Sequence, residues 1–341
     1  MKKNWLLNAC LVPVLLLSAC GTESSSGEER KQGGVGGTLE FYTSQPDEDV
    51  TKLIEGFNKK YPDVEVKAFR SGTEEVVGKV QAEKRAGDVK ADVMLVADSV
   101  TFEKLKEQDL LLSYKSKEIE HIPDDFVDDD YMYTGTKMMA TVLAVNTTTT
   151  NVKDPKETWS VLTDKKTKGK AVMPSPLYSG AAAYNVGVMS RQKKLNWNFF
   201  DELKKNDMTV VQGNGAALKA VASGQKDYGL VVDYLALRAK KEGSPIELIY
   251  PKEGVPVITE PVGIMEGTKN EKTAKAFVDY ILSEEGQKLS ANLGYAPIRQ
   301  EIEAPDGLKS MESIQILDSP LSELYKSREE DKERFKRIFG N

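Results

Sequence analysis

The sequence predicts an α/β protein with two lobes, a ligand cleft between the lobes and two hinge strands that join them. Short β-rich segments alternate with amphipathic segments of helical period, and this alternation indicates βαβ units and a mainly parallel sheet. Two long extended segments, residues 138–146 and 255–266, bracket the second half of the pattern. A block that is entered by one strand and left by another has only a narrow covalent connection, so it can close on a ligand in the cleft.

The first 19 residues have the profile of a signal peptide. Two lysines precede an apolar run, residues 5–17, which is too short to cross a bilayer as a permanent helix. The run closes in Leu17-Ser18-Ala19-Cys20, which resembles the lipobox of bacterial lipoproteins. That resemblance implies a diacylglycerol on the Cys20 thiol and a protein anchored at the extracytoplasmic face of the cell membrane. A plain secretory peptide that happens to carry a cysteine is the alternative.

The chain after the signal peptide divides by composition. Residues 20–37 contain Gly, Ser and charged side chains with almost no apolar residue, so they predict a flexible tether rather than part of a core. A coil of this kind extends roughly 20 to 25 Å. The rest is long enough for two lobes, and we predict residues 38–142 and 264–341 in lobe 1 and residues 143–263 in lobe 2.

Composition excludes several classes of function. Cys10 lies in the apolar run, so only Cys20 would survive processing, and no disulfide or cysteine metal site is available. The single histidine, His121, lies in a predicted surface turn and cannot form a two-histidine zinc site. Loss of two lysines leaves 45 of the 47 cations against 53 acids, a net charge of −8. The charges are interspersed, so nothing indicates nucleic-acid binding.

The predicted elements follow the chain in two blocks. In the first, the strands and the helices alternate, at residues 39–43, 46–57, 64–69, 71–80, 92–96 and 98–105. Residues 71–74, Ser-Gly-Thr-Glu, predict a capping box at the start of the second helix. The acidic run 124–130 lacks the spaced ligands of a calcium loop and is predicted to be a solvated loop.

The second block repeats the alternation. Its predicted elements are a helix near Trp159, a strand at 171–173, helices from Gly180 and Asn198, a strand at 209–211, a helix from Ala216, a strand at 228–232, a helix from Tyr234 and a strand at 246–250. The C-terminal part is predicted to be mostly helical, at residues 271–282, 284–293 and 320–339.

Small polar residues mark four junctions between a strand and the next helix. In open α/β sheets, ligands bind beyond the carboxyl ends of the strands, where helix N-termini present unpaired amides that favour negative charge. The four junctions are Thr43-Ser44, Ser71-Gly72-Thr73, Ser179-Gly180-Ala181 and Gly213-Asn214-Gly215. Ordinary helix capping is the alternative, and it is sufficient to explain Ser71.

These motifs together resemble the substrate-binding lipoproteins of ABC importers, which have the type II periplasmic-binding-protein fold. The residues that carry the resemblance are the lipobox, Tyr42-Thr43-Ser44, Ser71-Gly72-Thr73, residues 220–224 and residues 228–234. It covers essentially the whole mature chain and is nearest the branch that holds ferric-iron, phosphonate and sugar-phosphate binders. It implies a monomer without a cofactor that captures a small solute and delivers it to the permease subunits in the membrane. The expected ligand-binding residues are Thr43, Ser44, Ser71, Gly72, Thr73, Asp98, Ser99, Ser179, Gly180, Ala181, Asn214, Asp233, Tyr234 and Glu260.

The ligand remains open between two main classes. Histidine-using ferric binders of this family have a histidine where this chain has Gln45, and of their paired tyrosines only Tyr234 remains. Iron could still be held by a convergence of tyrosines, with Tyr42, Tyr178, Tyr184 and Tyr234 as candidates. The neutral donors at the junctions favour a small organophosphorus anion, such as an aminoalkylphosphonate or a sugar phosphate. Its amine could be held by one of three acids, Asp98, Asp233 or Glu260.

Three other functions of the cleft have less support from the sequence. A sugar binder needs aromatic platforms, but Trp159 and Trp197 have a spacing typical of core residues. A polyamine binder is a further alternative. Paired acids could serve a glycosidase, but the sequence has no nucleophile motif, metal cluster or nucleotide loop, so we predict a protein that is not an enzyme.

Overall fold

The computed structural model describes residues 34–150 and 157–340. The predicted signal peptide, the lipidation site Cys20 and most of the predicted tether therefore lie outside the described residues. From Val35 onward the chain forms one unit. Among the described residues, no helix is both long enough and apolar enough to cross a membrane.

The first α/β block opens with three strands that are each followed by a helix. Its elements are β1 (Gly37–Thr43), α1 (Asp47–Lys60), β2 (Val64–Arg70), α2 (Thr73–Arg85), β3 (Val93–Leu95), α3 (Ser99–Glu107) and the short β4 (Leu111–Leu112). The long strand β5 (Thr134–Asn146) then leaves this block.

The second α/β block repeats the arrangement after a 3₁₀ helix at Trp159–Thr163. Its elements are β6 (Ala171–Pro174), α4 (Gly180–Ser190), α5 (Trp197–Lys205), β7 (Thr209–Val211), α6 (Asn214–Ala222), β8 (Tyr228–Val232), α7 (Asp233–Lys241) and β9 (Ile246–Ile249). The long strand β10 (Val255–Met265) returns to the first block. The C-terminal elements are α8 (Glu271–Leu282), α9 (Glu284–Asn292), β11 (Ala296–Pro297), β12 (Ile316–Leu317) and α10 (Leu321–Phe339).

The two long strands join the two blocks in one sheet, whose main order is β2-β1-β3-β10-β5-β8-β6-β7. Strands β1 to β3 are parallel to one another, as are β6 to β8. The first part of β5 pairs antiparallel with β10, as far as Ala140 opposite Val257. The next residue of β5, Thr141, already pairs with Val232 of β8. The two extended segments that the sequence predicts to run between the blocks are therefore β5 and β10.

Each block has its own apolar core. In the first block, the Phe277 ring of α8 meets the rings of Phe41 and Phe57 edge-on, with centroids 4.9 and 4.8 Å apart. The core of the second block includes Trp159, which is fully buried, and Trp197 packs against it. Core packing is thus the observed role of both tryptophans.

The C-terminal helix α10 contacts both blocks. On the second block, its Phe335 lies in the apolar core, and its Asp331 pairs with Arg191 at 2.8 Å. On the first block, its Glu329 pairs with Lys104 of α3 at 2.9 Å. Because α10 contacts both sides, the assignment of residues 264–341 to lobe 1 stays a prediction, as do the other lobe boundaries.

One local prediction is wrong, and a second is wrong at one residue. The capping box at residues 71–74 does not form, because Gly72 is the N-cap of α2 and the Ser71 hydroxyl donates to Glu75 instead. The acidic run 124–130 is irregular apart from a 3₁₀ helix at Asp124–Phe126, and its acids are exposed as predicted except for Asp128, which is buried. That carboxylate binds the Lys106 ammonium at 2.7 Å and accepts from two backbone amides of its own turn.

Candidate functional site

A cavity of about 320 Å³ lies between the two blocks, at the carboxyl ends of their parallel strands. This is the place where open α/β sheets bind ligands, and the volume suits a small molecule. Its lining includes residues from both blocks and from both long strands: Ser44, Pro46, Arg70, Gly72, Thr73, Ala97, Met139, Tyr178, Ser179, Ala181, Gln212, Gly213, Asn214, Gly215, Ala216, Val232, Tyr234, Leu235 and Glu260.

The structure brings most of the predicted site residues together around this cavity. Those in its lining are Ser44, Gly72, Thr73, Ser179, Ala181, Asn214, Tyr234 and Glu260. Those outside the lining are Thr43, Ser71, Asp98, Ser99, Gly180 and Asp233.

Three of the polar residues outside the lining have hydrogen-bond partners within the protein. The Thr43 hydroxyl accepts from the Gln45 amide at 3.2 Å. The Ser99 and Thr259 hydroxyls are 3.1 Å apart, and Ser71 is bonded to Glu75. Each of these hydroxyls therefore serves a bond within the fold.

The acids Asp98 and Asp233 are buried at junctions behind the cavity. Asp98 accepts from the Arg328 guanidinium at 2.8 Å and from the Thr101 amide at 3.0 Å. Asp233 accepts from the amides of Ala140 and Tyr234 and, at 3.1 Å, from the Tyr250 hydroxyl. Burial raises the pKa of Asp233 to about 7. The structure therefore does not bring either carboxylate to the cavity.

Two helices of the second block, α4 and α6, begin at the cavity. The first amides of any helix lack an intrahelical acceptor and carry partial positive charge. In α4 and α6 the first turn contains no acidic residue, whereas α1 has three there and α2 has two. The positive ends of α1 and α2 are thus offset by their own side chains. Those of α4 and α6 are available to an anion from outside the chain.

Ser179 and Asn214 fix these two helix starts to each other. The Ser179 hydroxyl accepts from the Ala182 amide and from the Asn214 side-chain amide, each at 3.3 Å. Asn214 in turn accepts from the Val232 amide at 3.2 Å. Both lone pairs of Ser179 are thus occupied, and within the described residues its hydroxyl donates to no acceptor, so its proton can be donated to a ligand.

The two blocks touch each other beside the cavity. The Glu74 amide of α2 donates to the Tyr178 carbonyl at 3.2 Å. A Cβ at Gly72 would lie 2.6 Å from the Tyr178 ring, and a Cβ at Gly180 would collide with the Ala97 carbonyl oxygen. Glycine at both positions lets the backbones approach this closely.

Sequence reasoning missed Arg70 and Gln45. Arg70 ends β2 and lines the cavity, and its Nε donates to the Gln45 carbonyl at 2.7 Å. Gln45 is buried and donates from its side chain to Glu260 at 3.0 Å. Arg70 immediately precedes one of the four small-residue junctions, so its place at the carboxyl end of a strand is the signal that could have found it.

The tyrosines converge only in part. Tyr178 and Tyr234 line the cavity, whereas the Tyr42 hydroxyl donates to Glu83 at 2.8 Å and Tyr184 packs beside apolar residues outside the lining. Burial raises the pKa of Tyr234 well above its usual value, and its ring stacks on Tyr295 with centroids 3.9 Å apart. In the described part of the chain, no group of three or more His, Cys, Asp or Glu side chains is placed to hold a metal ion.

Two α/β blocks that are joined by two strands, with a cavity at the carboxyl ends of their parallel strands, define a two-lobed solute-binding protein. Residues 52–315 match the family described as bacterial extracellular solute-binding protein. The chain belongs to that family.

Relatives match over most of their length. A Haemophilus influenzae protein described as uncharacterized is 28% identical over 267 residues, which are 76% of each chain. The probable ABC transporter periplasmic-binding protein y4fP of Sinorhizobium fredii is 26% identical over 273 residues, which are 77% of this chain and 75% of the relative.

Solved structures confirm the predicted α/β fold with two lobes. The periplasmic binding protein AfuA from Actinobacillus pleuropneumoniae, with bound fructose 6-phosphate, has a TM-score of 0.79 and 24% identity, over 88% of this chain and 97% of its own. Iron-bound HitA from Pseudomonas aeruginosa has a TM-score of 0.78 and 22% identity, over 88% of this chain and 99% of its own.

Proposed function

We propose that this protein is the solute-binding component of an ABC importer and that it captures a small organophosphorus anion, a phosphonate or an organophosphate, for delivery to a membrane permease. The observation that carries the proposal is the pair of helix starts, α4 and α6, which open into the cavity with no acid in their first turns. Amides and hydroxyls there stabilise a phosphoryl group without a buried cation. The description of y4fP as an ABC transporter protein and the sugar phosphate in AfuA support the same reading.

Ferric iron is the second candidate, and iron-bound HitA is the observation that favours it. Ferric iron requires several hard anionic ligands in one place. Here Tyr178 and Tyr234 line the cavity together with Glu260, and Glu260 already binds Lys137 at 2.6 Å. An iron site would therefore compete with an existing ion pair and would need two tyrosines to ionise.

A thermal-unfolding panel of phosphonates, sugar phosphates, ferric chelates and polyamines separates these candidates. A ligand at 100 times its dissociation constant adds about 2.7 kcal/mol to the free energy of unfolding. We expect the organophosphorus anions to raise the melting temperature and the other classes to leave it unchanged. Stabilisation by ferric chelate, with a tyrosinate-to-iron absorption band that is lost in Tyr234→Phe, would show that the ligand is ferric iron and not an organophosphorus anion.

We also propose that the protein is a lipid-anchored monomer at the extracytoplasmic face of the cell membrane. The support is the lipobox-like Leu17-Ser18-Ala19-Cys20 and the polar segment that follows it. Cys20→Ala should move the protein from the membrane fraction to the soluble fraction. An intact mass of the membrane-extracted protein without a lipid on its N-terminus would contradict the anchor.

A further inference from the structure

One wall of the cavity contains an arginine and a glutamate that both form a hydrogen bond with the same buried residue, Gln45. Gln45 is 4% exposed. Its backbone carbonyl accepts from Nε of Arg70 at 2.7 Å, and its side-chain amide donates to Oε2 of Glu260 at 3.0 Å. Gln45 thereby fixes the positions of both charged groups relative to each other.

The guanidinium of Arg70 is only partly used. Its Nε is bonded to Gln45, and no hydrogen bond within the described residues involves its two terminal nitrogens. Asp47 is 3.9 Å from Nε, but that side chain is 84% exposed, so water screens the interaction. The two terminal nitrogens together form a planar fork that matches a phosphonate or phosphate group.

Within the described residues, only one oxygen of the Glu260 carboxylate accepts hydrogen bonds. Glu260 is 4% exposed and lines the cavity. It lies on β10 at an irregularity of the pairing with β5, where Thr136 and Lys137 together lie opposite this one residue. Oε2 accepts from both Gln45 and Lys137, and no bond within the described part of the chain ends on Oε1. A carboxylate oxygen can accept up to two hydrogen bonds, so Oε1 can receive a donor from a ligand.

Lys137 makes such a carboxylate compatible with an anion site. Its ammonium is buried and 2.6 Å from Glu260, so the pair carries no net charge. Glu260 can therefore accept a hydrogen bond without repelling a phosphoryl group in the same cavity. Arg70 and the helix starts of α4 and α6 then set a positive potential for the anionic end.

We propose that Arg70 and Glu260 are the specificity-determining residues of this cavity and that Gln45 is the residue that positions Glu260. Arg70 binds the phosphonate or phosphate group, and Oε1 of Glu260 accepts a hydrogen bond from a hydroxyl or ammonium group at the opposite end of the same ligand. This inference rests on the proposed function and narrows it to organophosphorus anions that carry a second, hydrogen-bond-donating end.

Calorimetry with three probes tests the two ends separately. Methylphosphonate has the anionic end alone, 2-aminoethylphosphonate adds an ammonium group, and glycerol 3-phosphate adds hydroxyl groups. We expect wild type to bind at least one of the two longer probes more tightly than methylphosphonate, and the stronger of them identifies the donor.

Arg70→Gln tests the anionic end. Loss of a charged hydrogen-bond donor should weaken the binding of all three probes about 10- to 100-fold. The matched control is Lys67→Gln, which removes an exposed cation from the same strand outside the cavity lining and should change none of the three affinities. Equal affinities for Arg70→Gln and Lys67→Gln would overturn the role of Arg70.

Glu260→Gln and Gln45→Ala test the donor end. Each should reduce the preference for the longer probe by about tenfold. Gln45→Ala should leave methylphosphonate binding unchanged, whereas Glu260→Gln leaves the charge of Lys137 uncompensated and should not weaken it. Gln45→Ala keeps the Glu260–Lys137 pair and the backbone carbonyl that holds Arg70, so it remains informative where Glu260→Gln lowers folding. Equal loss for all three probes would overturn the role of Glu260. Wild type that binds none of the probes would instead overturn the proposed function itself.

Discussion

Asp98 and Glu260 are both buried acids near the contact between the two blocks, but their surroundings differ. Asp98 is fully enclosed, with Oδ1 bonded to the Thr101 amide and Oδ2 to the Arg328 guanidinium. Glu260 receives its two bonds on one oxygen and lines the cavity with the rest of the carboxylate. Burial alone therefore does not distinguish an acid of the fold from an acid of the site. The distribution of the bonds does, because both oxygens of Asp98 have a partner, whereas no bond within the described residues ends on Oε1 of Glu260.

The contacts of Arg328 show why Asp98 has a structural role. This arginine of α10 also binds Glu74 of α2 at 3.0 Å, and Lys332 of the same helix binds Glu74 at 2.8 Å. The C-terminal helix thus reaches both the β3–α3 junction and the first turn of α2, next to the Gly72 and Thr73 lining of the cavity. Asp98, whose oxygens are both paired, therefore maintains the shape of the cavity. Glu260, which is only partly paired, lines that cavity.

The largest expected effect comes from breaking the structural pair. Arg328→Ala leaves Asp98 buried without its cation, and removal of one partner of a buried ion pair costs about 3–5 kcal/mol of the free energy of unfolding. Urea denaturation at neutral pH measures it. Arg337→Ala, an exposed cation on the same helix, is the matched control and should stay within about 0.5 kcal/mol of wild type. A loss for Arg328→Ala as small as that of the control would show that Asp98 does not depend on the pair.

Asp233 sharpens the comparison because it is buried with neutral donors and no cation. Burial raises its folded-state pKa to about 7, against about 3.9 in the unfolded chain. The folded state therefore binds this proton more tightly, and the resulting stability is complete below about pH 4 and is lost as the pH rises through about 7. Wild type should lose up to about 1.4 kcal/mol per pH unit in this window relative to Asp233→Asn.

The measurement is urea unfolding of wild type and Asp233→Asn at several pH values between 4 and 8. Burial also raises the pKa of Asp98, against the effect of Arg328, but Asp98 is the same in both proteins and cancels in the difference. Asp125→Asn, in the exposed part of the acidic loop, is the control and should not change the slope. A difference between wild type and Asp233→Asn that stays constant with pH would mean that Asp233 is ionised throughout.

The sequence predicts the fold and most of the cavity because these depend on local patterns. Strand and helix periodicity identified the alternating elements, and the small residues after strand ends identified four junctions, each of which has at least one residue in the lining of the cavity. The roles of the acids were not predictable in this way. The partner of Asp98 is 230 residues away in α10, and Gln45, the partner of Glu260 in the segment after β1, is 215 residues away. Such pairings depend on how distant elements pack, which a single sequence does not reveal.

Closure of the two blocks gives the next smaller effect. A Cβ at Gly180 would collide with the Ala97 carbonyl, and such overpacking typically costs about 1–3 kcal/mol. Because the collision is between the blocks, Gly180→Ala should oppose their approach and weaken binding of the preferred probe about tenfold or more. Gly78→Ala is the control, since its Cβ would have open space in the middle of α2.

Small-angle scattering reports the same change directly. Wild type saturated with its probe should have a modestly smaller radius of gyration than Gly180→Ala under the same conditions. Identical scattering and identical affinity for the two proteins would show that the close approach at Gly180 has no part in binding.

The smallest expected effect distinguishes Ser179 from Ser71, two serines that both lie at predicted junctions between a strand and a helix. Ser179 caps α4 and holds Asn214, whereas Ser71 is bonded to Glu75 away from the cavity. Ser179→Ala removes a cap and should cost about 1 kcal/mol of the free energy of unfolding, within the usual range of 0.5–2. It should also weaken binding of the preferred probe about tenfold, because the Ser179 proton can be donated to the ligand. Ser71→Ala should change stability by no more than about 0.5 kcal/mol and leave the affinity unchanged. Equal effects of the two substitutions on affinity would mean that the α4 start does not hold the anion, and the site would then have to rely on α6 and Arg70.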